Sequence, residues 1–91
     1  MNWDLQGVED TLKMQEDILA DKNEVIRASS FSKDLRDQVA SRNALLTRIT
    51  MITEIRDEML KCNDIVDMND YIGQKALVYT LIQKLKEVPK A

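Results

Sequence analysis

Glycine and proline are scarce in this chain, and their scarcity limits its fold more than any other feature. The 91 residues include two glycines, Gly7 and Gly73, and one proline, Pro89. An all-β fold needs a turn roughly every 8–12 residues, and glycine and proline dominate such turns. The chain is therefore predicted to be all-α, and its length fits a single domain.

The composition indicates a folded chain of marginal stability. Hydrophobic residues make up 44% of it and charged residues 32%, which is too apolar for a disordered protein. A domain of this size buries only roughly 60–65% of the surface that its unfolded chain exposes. Small domains usually add disulfides, a metal or a partner chain. Since there is one cysteine, Cys62, and no histidine, a partner chain is the expected addition.

The first predicted helix covers about residues 4–28 and has two apolar lines. At 100° per residue, the first line consists of Leu5, Val8, Leu12, Leu19 and Ile26. The opposite side of the helix is acidic and carries Asp10, Asp17, Asp21 and Glu24. A second apolar line, about 120° from the first, consists of Met14, Ile18 and Val25. Because each helix of a bundle faces two others, this second line is either a further core contact or a partner-binding surface.

The second predicted helix covers residues 33–63 and is apolar around most of its middle. Between Gln38 and Thr53, the only charged residues are Arg42 and Arg48. The apolar residues that point in several directions there are Leu45, Leu46, Ile49, Met51 and Ile52. Two flanking helices cover only part of such a surface, and a contiguous exposed apolar patch normally marks an interface. This set is therefore predicted to form an association surface or the core beside it.

The segment from Leu46 to Thr53 is also rich in β-branched residues, which are typical of strands. Helix-forming residues flank it on both sides, and no turn signal separates it from them. We therefore predict that this segment is helical and continuous with the rest of the second helix.

The third predicted helix covers about residues 69–88. Asp67 and Asn69 are alternative N-caps, and Asp70 lies three residues after Asp67, as in a capping box. The apolar stripe of this helix consists of Tyr71, Val78, Leu81, Leu85 and Val88. Short connections between the three helices predict an up-down-up bundle or a long helical hairpin with coiled-coil-like packing.

Few residues of the chain are suited to catalysis. The absence of histidine removes Ser–His and Cys–His pairs, the commonest general base and most zinc sites. Cys62 is predicted to be a small, half-buried residue of a helix. The carboxylates of Asp64, Asp67 and Asp70 lack the spacing of a calcium loop. We therefore predict no catalytic residue, no metal site and no cofactor.

Two short acidic motifs suggest an enzymatic alternative. Asp21 and Glu24 lie three residues apart in the first helix, and Glu54 and Asp57 lie three apart in the second. In this respect the chain resembles the all-α nucleoside-triphosphate pyrophosphatases, whose Glu-x-x-Glu and Glu-x-x-Asp motifs lie on neighbouring helices. Only the second motif matches as written, because the first begins with aspartate. The resemblance implies a magnesium-dependent hydrolase.

Neither a nucleic acid nor a membrane is an expected partner. The formal net charge is −3, and no basic stripe with interleaved aromatic residues is present. The longest apolar run, residues 76–79, is far shorter than a membrane span. No secretory signal is recognisable, and a lone cysteine fits a reducing compartment. The sequence therefore predicts a cytoplasmic protein.

Together these patterns predict a non-enzymatic protein–protein interaction module. Its expected role is that of a structural or adaptor subunit in a larger or self-associating assembly. The alternative is a small regulatory inhibitor or escort chaperone that docks on one larger protein. The expected binding residues are the apolar middle of the second helix, the second line of the first helix, and Trp3. Tryptophan is enriched at interface hot spots, although Trp3 could equally cover one end of the core.

Overall fold

A computed structural model describes residues 3–28 and 33–88, and these residues form three helices. Helix α1 spans Leu5–Ala28, α2 spans Lys33–Cys62 and α3 spans Met68–Glu87. No strand occurs within the two described ranges. The all-α prediction is confirmed, and each helix end lies within one residue of its expected position. Periodic apolar residues, the capping residue before α3 and the absence of glycine and proline from α2 made these ends predictable.

The β-branched segment of α2 is helical, as predicted. The hydroxyl groups of Thr47, Thr50 and Thr53 each donate a hydrogen bond to the carbonyl oxygen four residues earlier, at 3.1, 2.9 and 2.8 Å. Threonine in a helix often bonds its own preceding turn in this way. Each hydroxyl is thereby satisfied locally, and α2 continues through this segment without a break.

Helix α3 begins at one of its two predicted caps. Asp67 has an extended backbone, and its carboxylate accepts hydrogen bonds from the backbone N–H groups of Asn69 and Asp70 at 2.9 and 3.1 Å. Two N–H groups that have no partner within the helix are thereby satisfied. The carboxylate of Asp67 therefore serves to start α3, which explains one member of the acidic group between residues 64 and 70.

Helix α2 is the central element of the bundle, and α1 and α3 each pack along it. Among the described residues, α1 and α3 make no close backbone contact with each other. The buried apolar residues are contributed by all three helices. They are Val8, Leu12, Leu45, Ile52, Ile55, Cys62, Val78, Ile82 and Leu85. Most of them lie where α2 has both of its neighbours, so the core occupies one part of an elongated molecule.

The three helices overlap along only part of the molecule, which measures 56 × 21 × 17 Å. The side-chain amide of Gln74 donates a hydrogen bond to the backbone carbonyl of Glu58 at 2.9 Å, which aligns α3 with α2. Because the two helices are antiparallel, the end of α3 at Glu87 lies opposite about residue 45 of α2. The chain therefore changes from three helices to two at this level.

Beyond the end of α3, the C-terminal part of α1 and the N-terminal part of α2 form a two-helix arm. The ammonium group of Lys22 donates a hydrogen bond to the hydroxyl of Ser41 at 2.9 Å, and this bond joins the two helices of the arm. The molecule thus combines the two predicted layouts, a three-helix bundle at one end and a helical hairpin at the other. The arm has fewer neighbours than the bundle, and Val25 on its α1 side is 48% exposed.

Glu58 is the main polar link between α2 and α3. Its carboxylate accepts hydrogen bonds from Lys61 at 2.8 Å and from Gln74 at 2.6 Å. These two bonds, with that from Lys61 the stronger influence, lower the pKa of Glu58 from its ordinary value. The ionised carboxylate is therefore the form that the folded α2–α3 pair stabilises.

We expect this link to make a small part of the stability depend on pH. Because the pKa of Glu58 is lower in the folded than in the unfolded chain, its contribution is complete above the ordinary pKa of 4.5. That contribution is lost as the pH falls through the folded value. Urea denaturation of the wild type and Glu58→Gln at several pH values should show a shallower acid decline in the variant. If the free energy of unfolding declines equally with acid in the wild type and in Glu58→Gln, the contribution of Glu58 to the pH dependence is contradicted.

Candidate protein-binding surface

The apolar middle of α2 is mostly used within the chain. Leu45 and Ile52 are buried, and Ile49 and Met51 are partly buried and pack against the core. Leu46 is the one member of the predicted set that is exposed. Packing against α1 and α3 therefore accounts for most of the set, and the buried Leu45 and Ile52 are not part of the exposed surface.

Trp3 lies at one end of the core. It is partly buried against the core residues and lines a cleft of about 280 Å³ between the three helices. The other residues that line this cleft are Thr11, Arg48, Ile52, Leu85, Lys86 and Val88. Trp3 therefore covers one end of the core, and its role in partner binding stays a prediction.

The second apolar line of α1, hereafter the α1 line, lies at the surface. Its members Met14, Ile18 and Val25 are 53%, 38% and 48% exposed. Thr11, one turn before Met14 on the same side of the helix, lines the cleft beside the end of α3. The α1 line therefore begins next to α3 and continues along the arm, where the described part of the chain has no third helix.

Acidic side chains border the α1 line on the side of α1 that faces away from the buried residues Val8 and Leu12. Asp10, Asp17, Asp21 and Glu24 are all exposed. The first three lie three or four residues from a member of the line, and Glu24 directly precedes Val25. Glu24 approaches Arg27 at 3.9 Å, but an exposed pair of this kind contributes little. Neither Asp17 nor Asp21 forms an ion pair with a side chain that the structure describes. The border is therefore a negatively charged edge, which favours a positively charged partner.

Helix α3 carries an exposed apolar line that the sequence analysis did not single out, hereafter the α3 line. Its members Met68, Ile72 and Tyr79 are each at least 58% exposed, whereas the neighbouring residues Val78, Ile82 and Leu85 are buried. Lys75, also exposed, lies within this line, and its ammonium group is 5.5 Å from the centre of the Tyr71 ring. Positions 68, 72, 75 and 79 have the four-three-four spacing of a coiled-coil seam, and this spacing is the sequence signal that could have identified the α3 line.

The two acidic motifs lie far apart in the structure. Lys22, within the first motif, bonds Ser41, whereas Glu54 follows about 20 Å further along α2. The described residues contain no group of three or more histidine, cysteine, aspartate or glutamate side chains placed to hold a metal. Within residues 3–28 and 33–88 of a single copy, the two motifs therefore do not face one site, as the resemblance to pyrophosphatases would require.

Cys62 is a core residue. Its thiol is buried and unpaired with another cysteine, and it donates a long hydrogen bond of 3.7 Å to the carbonyl oxygen of Glu58. This bond follows the same four-residue pattern as those of the threonines. The position agrees with its predicted place in a helix and shows it packed among apolar residues.

Comparison with known proteins identifies no relative: no protein-family model, curated protein or solved structure matches the chain. None of the helices in the described ranges is both long enough and apolar enough to span a lipid bilayer. The function of the chain must therefore be inferred from the surface chemistry of its three helices.

Proposed function

We propose that this protein is a non-enzymatic protein–protein interaction module, acting as a structural or adaptor subunit, that binds its partner through the α1 line. The observation that carries the proposal is the exposure of Met14, Ile18 and Val25, which run from beside the end of α3 onto the arm. A row of exposed apolar side chains with a charged border is typical of an interface. We further place the protein in a reducing intracellular compartment, which its unpaired thiol supports.

The spacing of the α1 line favours a helix as its partner. The three members of the line and Asp21, which lies between Ile18 and Val25, occupy positions 14, 18, 21 and 25. These positions are separated by four, three and four residues, which is the spacing of a coiled-coil seam. Residues spaced in this way stay on one side of a helix and meet a second helix along its length. The partner is therefore expected to present an amphipathic helix with basic residues beside its apolar side.

The α1 line can supply part of the binding free energy. Burying an apolar side chain completely contributes about 1.5–3 kcal/mol. Because the three side chains are already about half covered, a partner would gain on the order of 2–4 kcal/mol from them. Association also costs several kcal/mol in lost freedom, so further contacts along the arm and its acidic border must contribute.

A matched pair of variants tests the proposal. Ile18 and Leu77 are similarly exposed, at 38% and 42%, but Ile18 is in the α1 line and Leu77 is on α3, away from the α3 line. Affinity capture from the native cell, quantified by mass spectrometry, should recover the same chains with the wild type and Leu77→Asp. Ile18→Asp should lose them, because the partner would bury its carboxylate.

Circular dichroism should show unchanged helix content in both variants, since both positions are at the surface. If Ile18→Asp retains every chain that the wild type captures, the α1 line is not the binding surface. Additional copies of the protein itself count among the captured chains, so the test covers self-association as well.

A further inference from the structure

Resting on the proposed function, we infer that the α1 line of one copy binds the α3 line of a second copy of this chain, with Asp21 of the first copy meeting Lys75 of the second. Three observations support this pairing: the spacing of the two lines, their charges, and the position of α3 relative to the arm.

The two lines have the same spacing. Positions 14, 18, 21 and 25 are separated by four, three and four residues, and positions 68, 72, 75 and 79 are separated in the same way. When the two helices are aligned in parallel, Met14 faces Met68, Ile18 faces Ile72, and Val25 faces Tyr79 of the second copy. All six of these side chains are exposed in the single chain, so the alignment would cover apolar surface on both sides.

The remaining position of each line carries a charge, and the two charges are opposite. Asp21 and Lys75 fall on the third position of their respective lines, so the parallel alignment places them side by side. Both side chains are exposed, and neither forms an ion pair with a described side chain of its own copy. A polar pair within an apolar seam fixes the register of two helices.

The acidic border argues against the pairing of two α1 lines. Asp17, Asp21 and Glu24 of one copy would then lie close to the same residues of the other, and like charges in an interface are unfavourable. The α3 line has a basic residue, Lys75, at its third position, and Lys86 follows two turns after Tyr79. Opposite charges thus favour α3 over α1 as the occupant of the α1 line.

The position of α3 in the bundle determines the type of assembly. The bond between Lys22 and Ser41 places Met14 opposite about residue 49 of α2, and the bond between Gln74 and Glu58 places Met68 opposite about residue 64. Alignment of the two lines therefore shifts the second copy by about 22 Å along the helix axis.

With this shift, α3 of the second copy lies beside the arm of the first. The contact joins two different surfaces, so the first copy retains an unused α3 line and the second retains an unused α1 line. Such a head-to-tail contact produces a ring or an open chain of copies instead of a closed pair. The mass of the assembly should therefore increase with concentration beyond that of a dimer.

A charge exchange tests the inference. Asp21→Lys and Lys75→Asp each place like charges together, and each should lower the association constant of the purified chain about tenfold in sedimentation equilibrium. The double variant Asp21→Lys with Lys75→Asp restores opposite charges and should return to within about threefold of the wild type. Glu16→Lys, which changes an exposed acid on another side of α1, should leave association unchanged.

Circular dichroism of each variant confirms that the helices are retained. A double variant that associates no better than the single ones would overturn the inference. So would a wild type that stays monomeric at all concentrations. If Ile18→Asp nevertheless loses a partner captured from the cell, the proposed function stands and only the identity of the partner is wrong. If Ile18→Asp loses nothing, the proposed function also fails.

Discussion

Ile52→Ala is expected to lower the free energy of unfolding by about 2–5 kcal/mol, because it removes most of a completely buried side chain and leaves a cavity. Ile52 has no exposed surface and lies where residues of all three helices meet, beside Thr11 of α1 and Leu85 of α3. Single domains are stable by only about 5–15 kcal/mol, and a chain of this length is expected near the lower end. The substitution should therefore remove a large share of the total stability.

Leu46→Ala is the matched control for Ile52→Ala on the same helix. Leu46 is 39% exposed, so the same kind of truncation should cost about 1 kcal/mol or less. Urea denaturation followed by circular dichroism measures both variants. Equal losses of stability would mean that Ile52 is not the packing centre that joins the three helices.

The second large effect is expected on association, at Ile18. Ile18→Ala removes part of an apolar contact and should weaken partner binding about tenfold, which corresponds to about 1.4 kcal/mol. Ile18→Asp also places a carboxylate in the interface and beside the acidic border, so it should weaken binding at least about a hundredfold. Sedimentation equilibrium with the partner measures both losses of affinity. A larger loss for Ile18→Asp than for Ile18→Ala indicates that position 18 lies in an interface and is not merely exposed.

The same two substitutions should have little effect on folding. Ile18 lies on the outer side of α1, whereas Val8 and Leu12 on the inner side are buried. Thermal denaturation should therefore give similar midpoints for the wild type and both variants. A large fall in the midpoint would show that Ile18 is a core residue, and the loss of binding would then follow from unfolding.

The number of helices and their ends were predictable from the sequence, because they depend on local chemistry. Apolar periodicity fixed the three helices, and the side chain of Asp67 fixed the start of the third. Such features involve residues close together in the chain. They therefore do not depend on how the helices are later arranged.

The division between core and surface was less predictable, because it depends on how far the helices overlap. Tyr71 was placed on the core stripe of α3, but it lies at the surface, at the end of the bundle where only the last turn of α2 accompanies α3. For the same reason, the sequence could not decide whether the α1 line was core or surface. The end of α3 near the middle of α2 leaves much of that line exposed.

The apolar middle of α2 shows the limit of a pattern-based interpretation. Its residues point in several directions, which indicated either core or interface. In the structure, α1 and α3 pack on two sides of this segment and leave Leu46 exposed. The helical pattern gave the directions of these side chains, whereas the relative positions of the neighbouring helices decided which were covered.

Protection of position 18 from chemical modification tests the central claim most directly. In a Cys62→Ser background, Ile18→Cys and Leu77→Cys each introduce one exposed thiol, and the rate of alkylation reports how accessible it is. The isolated chain and the complex recovered from its cell are compared. If the α1 line is the binding surface, the thiol at position 18 reacts much more slowly in the complex than in the isolated chain. The thiol at position 77 reacts at the same rate in both. Equal rates at position 18 in the isolated chain and the complex would contradict it.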